Sequence, residues 1–184
     1  MTRISDQPIL IENNIQISVN SGLVRITGTK GDISIGIPKD LKVEIADNKL
    51  MLKGDGNKNL DNAIGLYRTL IQNAVTGLTR QWQKSLEMIG VGMRAQSSGS
   101  ELVLSVGFSH PVKIIAPKGI SFSVADNKIT VSGADKYLVG EEAAKIRRIK
   151  PAEPYKGKGI RYLGEFIRKK AGKAAKTVGG VGAK

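Results

Sequence analysis

Lysine and glycine alternate in Lys156-Gly157-Lys158-Gly159, between Pro154-Tyr155 and Ile160-Arg161-Tyr162. Ammonium groups spaced this way supply point charges for phosphates, and glycine lets a backbone come close to an oxyanion. Tyr155 and Tyr162 offer faces against which a base or sugar can pack. The chemistry implied is recognition of a polyanion, with no bond made or broken. Arg147 and Arg148 precede the motif, and Arg161, Arg168, Lys169, Lys170, Lys173 and Lys176 follow it. Residues 145–184 hold thirteen Lys or Arg against two Glu, which is +11 of the formal +13 at pH 7, while residues 1–144 are close to neutral. A docking surface for a polyanion is therefore expected at one end of the molecule.

Other chemistries are poorly supplied. The chain has no cysteine and one histidine, which removes disulfides, thiolate metal sites and a cysteine nucleophile and agrees with a reducing compartment. His110, in Phe108-Ser109-His110-Pro111, has no second histidine to share a metal. With Ser109 and Arg94 it forms a secondary candidate for RNA contact. The glycines of Ile89-Gly90-Val91-Gly92-Met93-Arg94 fit neither G-x-G-x-x-G nor G-x-x-x-x-G-K-[ST], so a strand kink or bulge is expected. Glu141-Glu142 fall near the start of a predicted helix, where they favour its dipole rather than catalysis. No catalytic residue, metal or cofactor is expected. No apolar run approaches the roughly 20 residues that cross a bilayer, and Met1–Asp6 lacks a signal-peptide pattern, so the expectation is a soluble, non-secreted protein without a membrane partner.

The elements that must position these residues repeat. Val43–Gly54 aligns with Phe122–Gly133 at a constant offset of 79, and at that offset Gly28 meets Gly107, Pro38-Lys39 meets Pro117-Lys118 and Arg68 meets Arg147. In each copy alternating runs flank Asp-Asn, which predicts a hairpin, because both residues tolerate the positive φ of a tight turn. Ile15–Val19 and Leu23–Ile26 add strands with one wet face. The apolar period then changes from 2 to about 3.6. Leu60, Ala63, Ile64, Tyr67, Leu70, Ile71, Ala74, Val75 and Leu78 form a stripe on a first helix started by Asn59 and Asp61. Leu138, Val139, Ala143, Ile146 and Ile149 form the second, stopped by Pro151. The fold class is α+β, two tandem copies of a module with a mainly antiparallel sheet covered by one helix, in residues 1–82 and 83–184. The stretch Arg80–Lys84 has no Gly or Pro, so one element should pass directly between modules and hold their angle stiffly. Trp82, the only tryptophan, is expected to pack at that junction.

With these residues in view, the chain resembles the bacterial-type large-subunit ribosomal protein six family over nearly its whole length. Glu153-Pro154-Tyr155-Lys156-Gly157-Lys158-Gly159-Ile160 is similar to the family's C-terminal signature. Leu86–Ala95, Gly107–Val112 and Arg68-Thr69-Leu70-Ile71 add to the likeness. Ala152, Ser5-Asp6 and Thr29 depart from it, at turns rather than in the Lys-Gly motif. The resemblance implies a non-catalytic protein of a bacterial or plastid ribosome. It would bind large-subunit rRNA near the sarcin-ricin region and the stalk base, beside neighbouring large-subunit proteins. Translation GTPases would be indirect partners, and the second domain would dominate the RNA contact. From composition alone, a general RNA- or DNA-binding architectural protein accounts for the charge equally well. With about six to eight phosphates contacted, log affinity should fall with log salt at a slope of about −4 to −7.

Overall fold

The computed structural model describes residues 7–12, 14–20, 22–38, 40–46, 48–54 and 58–170. The first half carries β1 (Ile9–Leu10), β2 (Gln16–Asn20), β3 (Leu23–Gly28), β4 (Gly31–Gly36), β5 (Leu41–Ala46), β6 (Lys49–Gly54) and α1 (Lys58–Arg80). The second carries β7 (Trp82–Ile89), β8 (Arg94–Ser97), β9 (Glu101–Ser105), β10 (Val112–Ile115), β11 (Ile120–Ala125), β12 (Lys128–Gly133), α2 (Lys136–Ile149) and β13 (Gly159–Tyr162). Alternation sets which side chains enter the core: Val24 and Ile26 of β3 and Ile129 and Val131 of β12 are fully buried, while Arg25 and Lys128 face water. The strand pairs are antiparallel, and one isolated parallel bridge joins Pro151 to Ile160.

The internal repeat is visible in the element bounds. The hairpin β5–β6 recurs as β11–β12 with all four ends displaced by the 79 residues of the sequence offset. In the turn of the second copy Asp126 takes a φ of 53°, and Asn48 takes 59° in the first, the left-handed conformation foreseen for these residue types. Each half differs from the expected single sheet in having two small ones. The order β1-β6-β5 is matched by β7-β12-β11, and β2-β3-β4 by β8-β9-β10. Prolines explain the division, since Pro38 and Pro117 have no N–H for a ladder and stand where the chain leaves β4 for β5 and β10 for β11. The peptide N–H groups of Leu41 and Ile120 donate to the carbonyls of those prolines, closing equivalent turns. Among the described strands only β13 lacks a counterpart, and it extends the second half's sheet beyond β7.

Each half buries its own apolar cluster. Ile26, Leu50, Ile64, Ile71 and Leu78 belong to the first, and Leu86, Leu102, Leu104, Ile129, Ile146 and Ile160 to the second. Ile64, Tyr67, Ile71, Ala74, Val75 and Leu78 of α1 and Leu138, Val139, Ala143, Ile146 and Ile149 of α2 supply the helical side of these cores, whereas Leu70 of the expected stripe is exposed. The side chains of the expected start signals Asn59 and Asp61, and of Leu60, lie outside what is described. Asp135 caps α2, its carboxylate accepting the Tyr137 N–H at 2.8 Å. Glu141 and Glu142 fall beyond the first turn, where the dipole has faded. They engage Lys145 instead, at 3.6 and 2.7 Å.

A single residue, Gln81 at φ 60°, separates α1 from β7. The two cores meet there without a spacer. The Trp82 indole N–H donates to the Asn73 carbonyl at 2.9 Å, and Lys136 lies 4.5 Å above the ring while its Nζ donates to Asn73 Oδ1 at 3.3 Å. Gly77 permits the closest approach, because a Cβ there would stand 1.9 Å from the Ala134 carbonyl oxygen.

Candidate nucleic-acid interface

The Lys-Gly motif is a tight turn that feeds an edge strand. The Gly157 N–H donates to the Glu153 carbonyl and the Glu153 N–H donates to the Lys158 carbonyl, both at 3.0 Å. The Ile160 N–H then donates to the Lys150 carbonyl at 2.8 Å, and β13 joins β7 with Ile160 opposite Met88. Gly157 has a φ of 73° and Gly159 one of 141°, and both are buried. A Cβ on Gly159 would lie 2.6 Å from Ala152 Cα and from the Pro151 carbonyl oxygen. Both glycines therefore have a reason inside the chain: Gly157 supplies a positive φ to the turn, and Gly159 lets the backbone pass close to itself. Lys156 and Lys158, on either side of Gly157, are exposed.

Two carboxylates sort the remaining cations. Arg161 is paired with Glu87 across the β13–β7 ladder. Arg147 forks onto Glu165, with Nε at 3.1 Å and Nη2 at 2.5 Å, and Glu165 also accepts the Tyr162 N–H at 2.9 Å. The Arg147 hydrogen bonds, then the Tyr162 N–H, hold the Glu165 carboxyl below its ordinary pKa. The same contact, with Glu165 as its leading cause, raises that of Arg147. The Tyr162 ring lies between Arg147 at 5.5 Å and Lys84 at 4.9 Å. Arg147, Arg161 and Tyr162 thus engage groups of their own chain. Arg148, Lys156, Lys158, Arg168, Lys169 and Lys170 are exposed, and their side chains have no partner among the described residues.

Backbone bonds gather these free cations. The Leu163 N–H donates to the Ser85 carbonyl at 2.9 Å, and the Lys170 N–H returns to the Pro154 carbonyl at 2.9 Å. Residues 168–170 are thereby drawn alongside the exposed Tyr155-Lys156 pair. Lys173 and Lys176, and residues 177–184, lie outside the described residues.

Arg94, Ser109 and His110 occupy the neighbouring end of the second half. Arg94 opens β8 opposite Ser105, the last residue of β9, and the loop 106–111 continues from there. Ser109 Oγ lies 3.4 Å from His110 Nδ1, and both residues are exposed. Gly90–Met93 forms a turn between strands rather than the expected kink or bulge, with β7 ending at Ile89 and Gly92 at φ 76°. Lys150 ties the two regions together, donating to the Val106 carbonyl at 2.5 Å and lying 5.5 Å from the Phe108 ring.

Several of these contributors escaped sequence reasoning. Glu87 is one polar residue within a strand, and Glu165 is one of two acids in a basic segment, which was the only hint available. Val91, 97% exposed, lies in a segment read as a strand kink or bulge, and Phe108, 48% exposed, lies in the secondary candidate loop but was not itself singled out. Among the described residues, no group of three or more His, Asp or Glu could hold a metal, and no helix is long and apolar enough to cross a membrane.

The fold and this surface define a basic α+β protein that presents unpaired cations on its second half. A family model described as ribosomal protein L6 matches residues 89–163. Large ribosomal subunit protein uL6 of Synechococcus sp. strain WH7803 is 46% identical over 178 residues, covering 96% of this chain and 99% of that protein. The uL6c protein of Guillardia theta is also 46% identical with the same coverage. That of Maridesulfovibrio salexigens is 43% identical, covering 96% of this chain and all of the relative. The chain belongs to the ribosomal protein L6 family, whose members are structural proteins and not enzymes.

Proposed function

We propose that the chain is a structural constituent of the large ribosomal subunit. It binds large-subunit rRNA through residues 83–184, beside neighbouring proteins of that subunit, while residues 1–82 form a module with less RNA contact. Its position is near the translation-factor-binding region and the stalk base, so that translation GTPases dock on RNA it braces. The observation that carries the reading is near-complete alignment with relatives named as large-subunit proteins, joined to the cluster of unpaired cations beside Lys156-Gly157-Lys158. Because A-form RNA hides its base edges in a deep groove, selectivity would come from RNA shape and from unpaired nucleotides.

The test is binding of the full chain to a large-subunit rRNA fragment at moderate salt, with duplex DNA as competitor. Retention against an excess of DNA supports the reading. Displacement by DNA as effectively as by unlabelled rRNA would instead make this a general polyanion-binding module.

A further inference from the structure

A cleft of about 320 Å³ lies where the Gly90–Met93 turn, the loop after β9 and the Pro151–Lys158 segment converge. Its size is within the range of small-molecule pockets. Glycine fits closely at two of its walls: a Cβ at Gly90 would stand 2.9 Å from Met93 Sδ, and one at Gly107 would stand 3.3 Å from Lys150 Nζ. Val106 and Met93 supply apolar lining, and Lys150 fixes the floor through the Val106 carbonyl. Val91 stands at the lip almost wholly in water, with the half-exposed Phe108 beside the wall that Gly107 forms. An exposed valine and phenylalanine have no role in the core on which the rest of this half depends. The lining also includes Lys158, without a side-chain partner among the described residues, and the exposed Glu153.

We infer that this cleft receives one unstacked nucleotide of the bound RNA. The base lies against Val91 and Phe108, its phosphate faces Lys158, and Glu153 accepts a hydrogen bond from an exocyclic amino group. Charge complementarity chooses the occupant. An ammonium beside an apolar shelf suits a phosphate joined to a π-face, and a carboxylate on the same rim admits a donor but repels a second phosphate. Uracil has no exocyclic amino group, so it is the base the site disfavours. The inference rests on the proposed RNA binding and adds a nucleotide-specific site to a surface otherwise governed by charge.

The experiment measures binding of the full chain to the large-subunit rRNA fragment across a salt series. The variants are Phe108→Leu, Val91→Ser and Glu153→Gln, alongside a Lys156→Ala, Lys158→Ala pair. Loss of base stacking should weaken binding about 5- to 100-fold in Phe108→Leu. Its salt slope should equal that of the wild type, because no charge is removed, while the lysine pair makes the slope shallower. Val91→Ser, at a side chain already in water, gives the same readout if Phe108→Leu melts at lower temperature. Glu153→Gln should reduce discrimination against uracil at the nucleotide whose ultraviolet cross-link maps to residues 90–93 or 106–111. Wild-type affinity in both apolar variants, with a weakened lysine pair, would overturn the nucleotide site and leave rRNA binding standing. Unchanged affinity in all of them would overturn the nucleotide site and also the assignment of RNA contact to the Lys156–Lys158 turn. A loss seen only when neighbouring ribosomal proteins are present would make the cleft a protein-docking site and also refute the inference.

Discussion

Replacing Gly159 with alanine should destabilise the second half by about 2–6 kcal/mol, the sum of two separate costs. At φ 141° an L-residue is held outside its ordinary conformations, a strain of about 1–3 kcal/mol. The new Cβ would also meet Ala152 Cα and the Pro151 carbonyl oxygen at 2.6 Å and Ala152 N at 2.8 Å. These are backbone atoms that no rotamer change can move aside, and overpacking of this kind costs about 1–3 kcal/mol. Gly157→Ala separates the two contributions. Its φ is 73°, but no heavy atom lies within 4 Å of the added carbon, so only the conformational cost of about 1–2 kcal/mol applies. Urea unfolding followed by Trp82 fluorescence is the assay, since the sole tryptophan packs against the second core. A Gly159→Ala variant that unfolds at the wild-type midpoint, or no earlier than Gly157→Ala, would refute the argument that this glycine lets the chain cross itself.

Gly77→Ala should invert the usual helix rule. Alanine inside a helix normally gains about 1 kcal/mol over glycine, but here the Cβ would sit 1.9 Å from the Ala134 carbonyl oxygen. The variant should therefore melt at lower temperature, with Trp82 emission shifted as the seam opens; a raised melting temperature would mean that α1 and the Ala134 turn do not touch. Glu165→Gln should flatten the acid limb of the stability profile. The folded pKa of Glu165 lies below its ordinary value of 4.5, so its contribution is present above that value and is lost as pH falls through the folded pKa. Urea midpoints between pH 5 and the acid limit, flatter in the variant than in the wild type, are the expected result, and parallel profiles would contradict it.

The repeat made the architecture legible, because apolar alternation around Asp-Asn fixed two hairpins and the change of period fixed both helices. Pro38 and Pro117 were seen as matched positions, yet nothing local said that they divide each half into two sheets. That division depends on which strand finds which partner across the chain. The basic cluster was equally visible as composition. Its sorting into tied and free cations was not, since Arg161 meets Glu87 across 74 residues and Arg147 meets Glu165 across 18. A long-range ion pair leaves no spacing rule in the sequence. Gly157 and Gly159 show the same limit. Their types announced a special backbone, but only the fold shows that Gly157 serves a turn and that the atoms Gly159 approaches are those of Pro151 and Ala152 rather than a ligand's.

In the proposed complex the free lysines of the turn beside β13, rather than the whole positive charge, hold the RNA. The most direct measurement is the salt dependence of the full chain's affinity for the large-subunit rRNA fragment, with Lys156→Ala, Lys158→Ala compared against Lys42→Ala, Lys53→Ala on the first half. Removing two phosphate contacts should reduce the magnitude of the log–log slope by about 1.4–1.8 in the first pair and leave it unchanged in the second. Equal reductions in both pairs, or none in the first, would contradict the account.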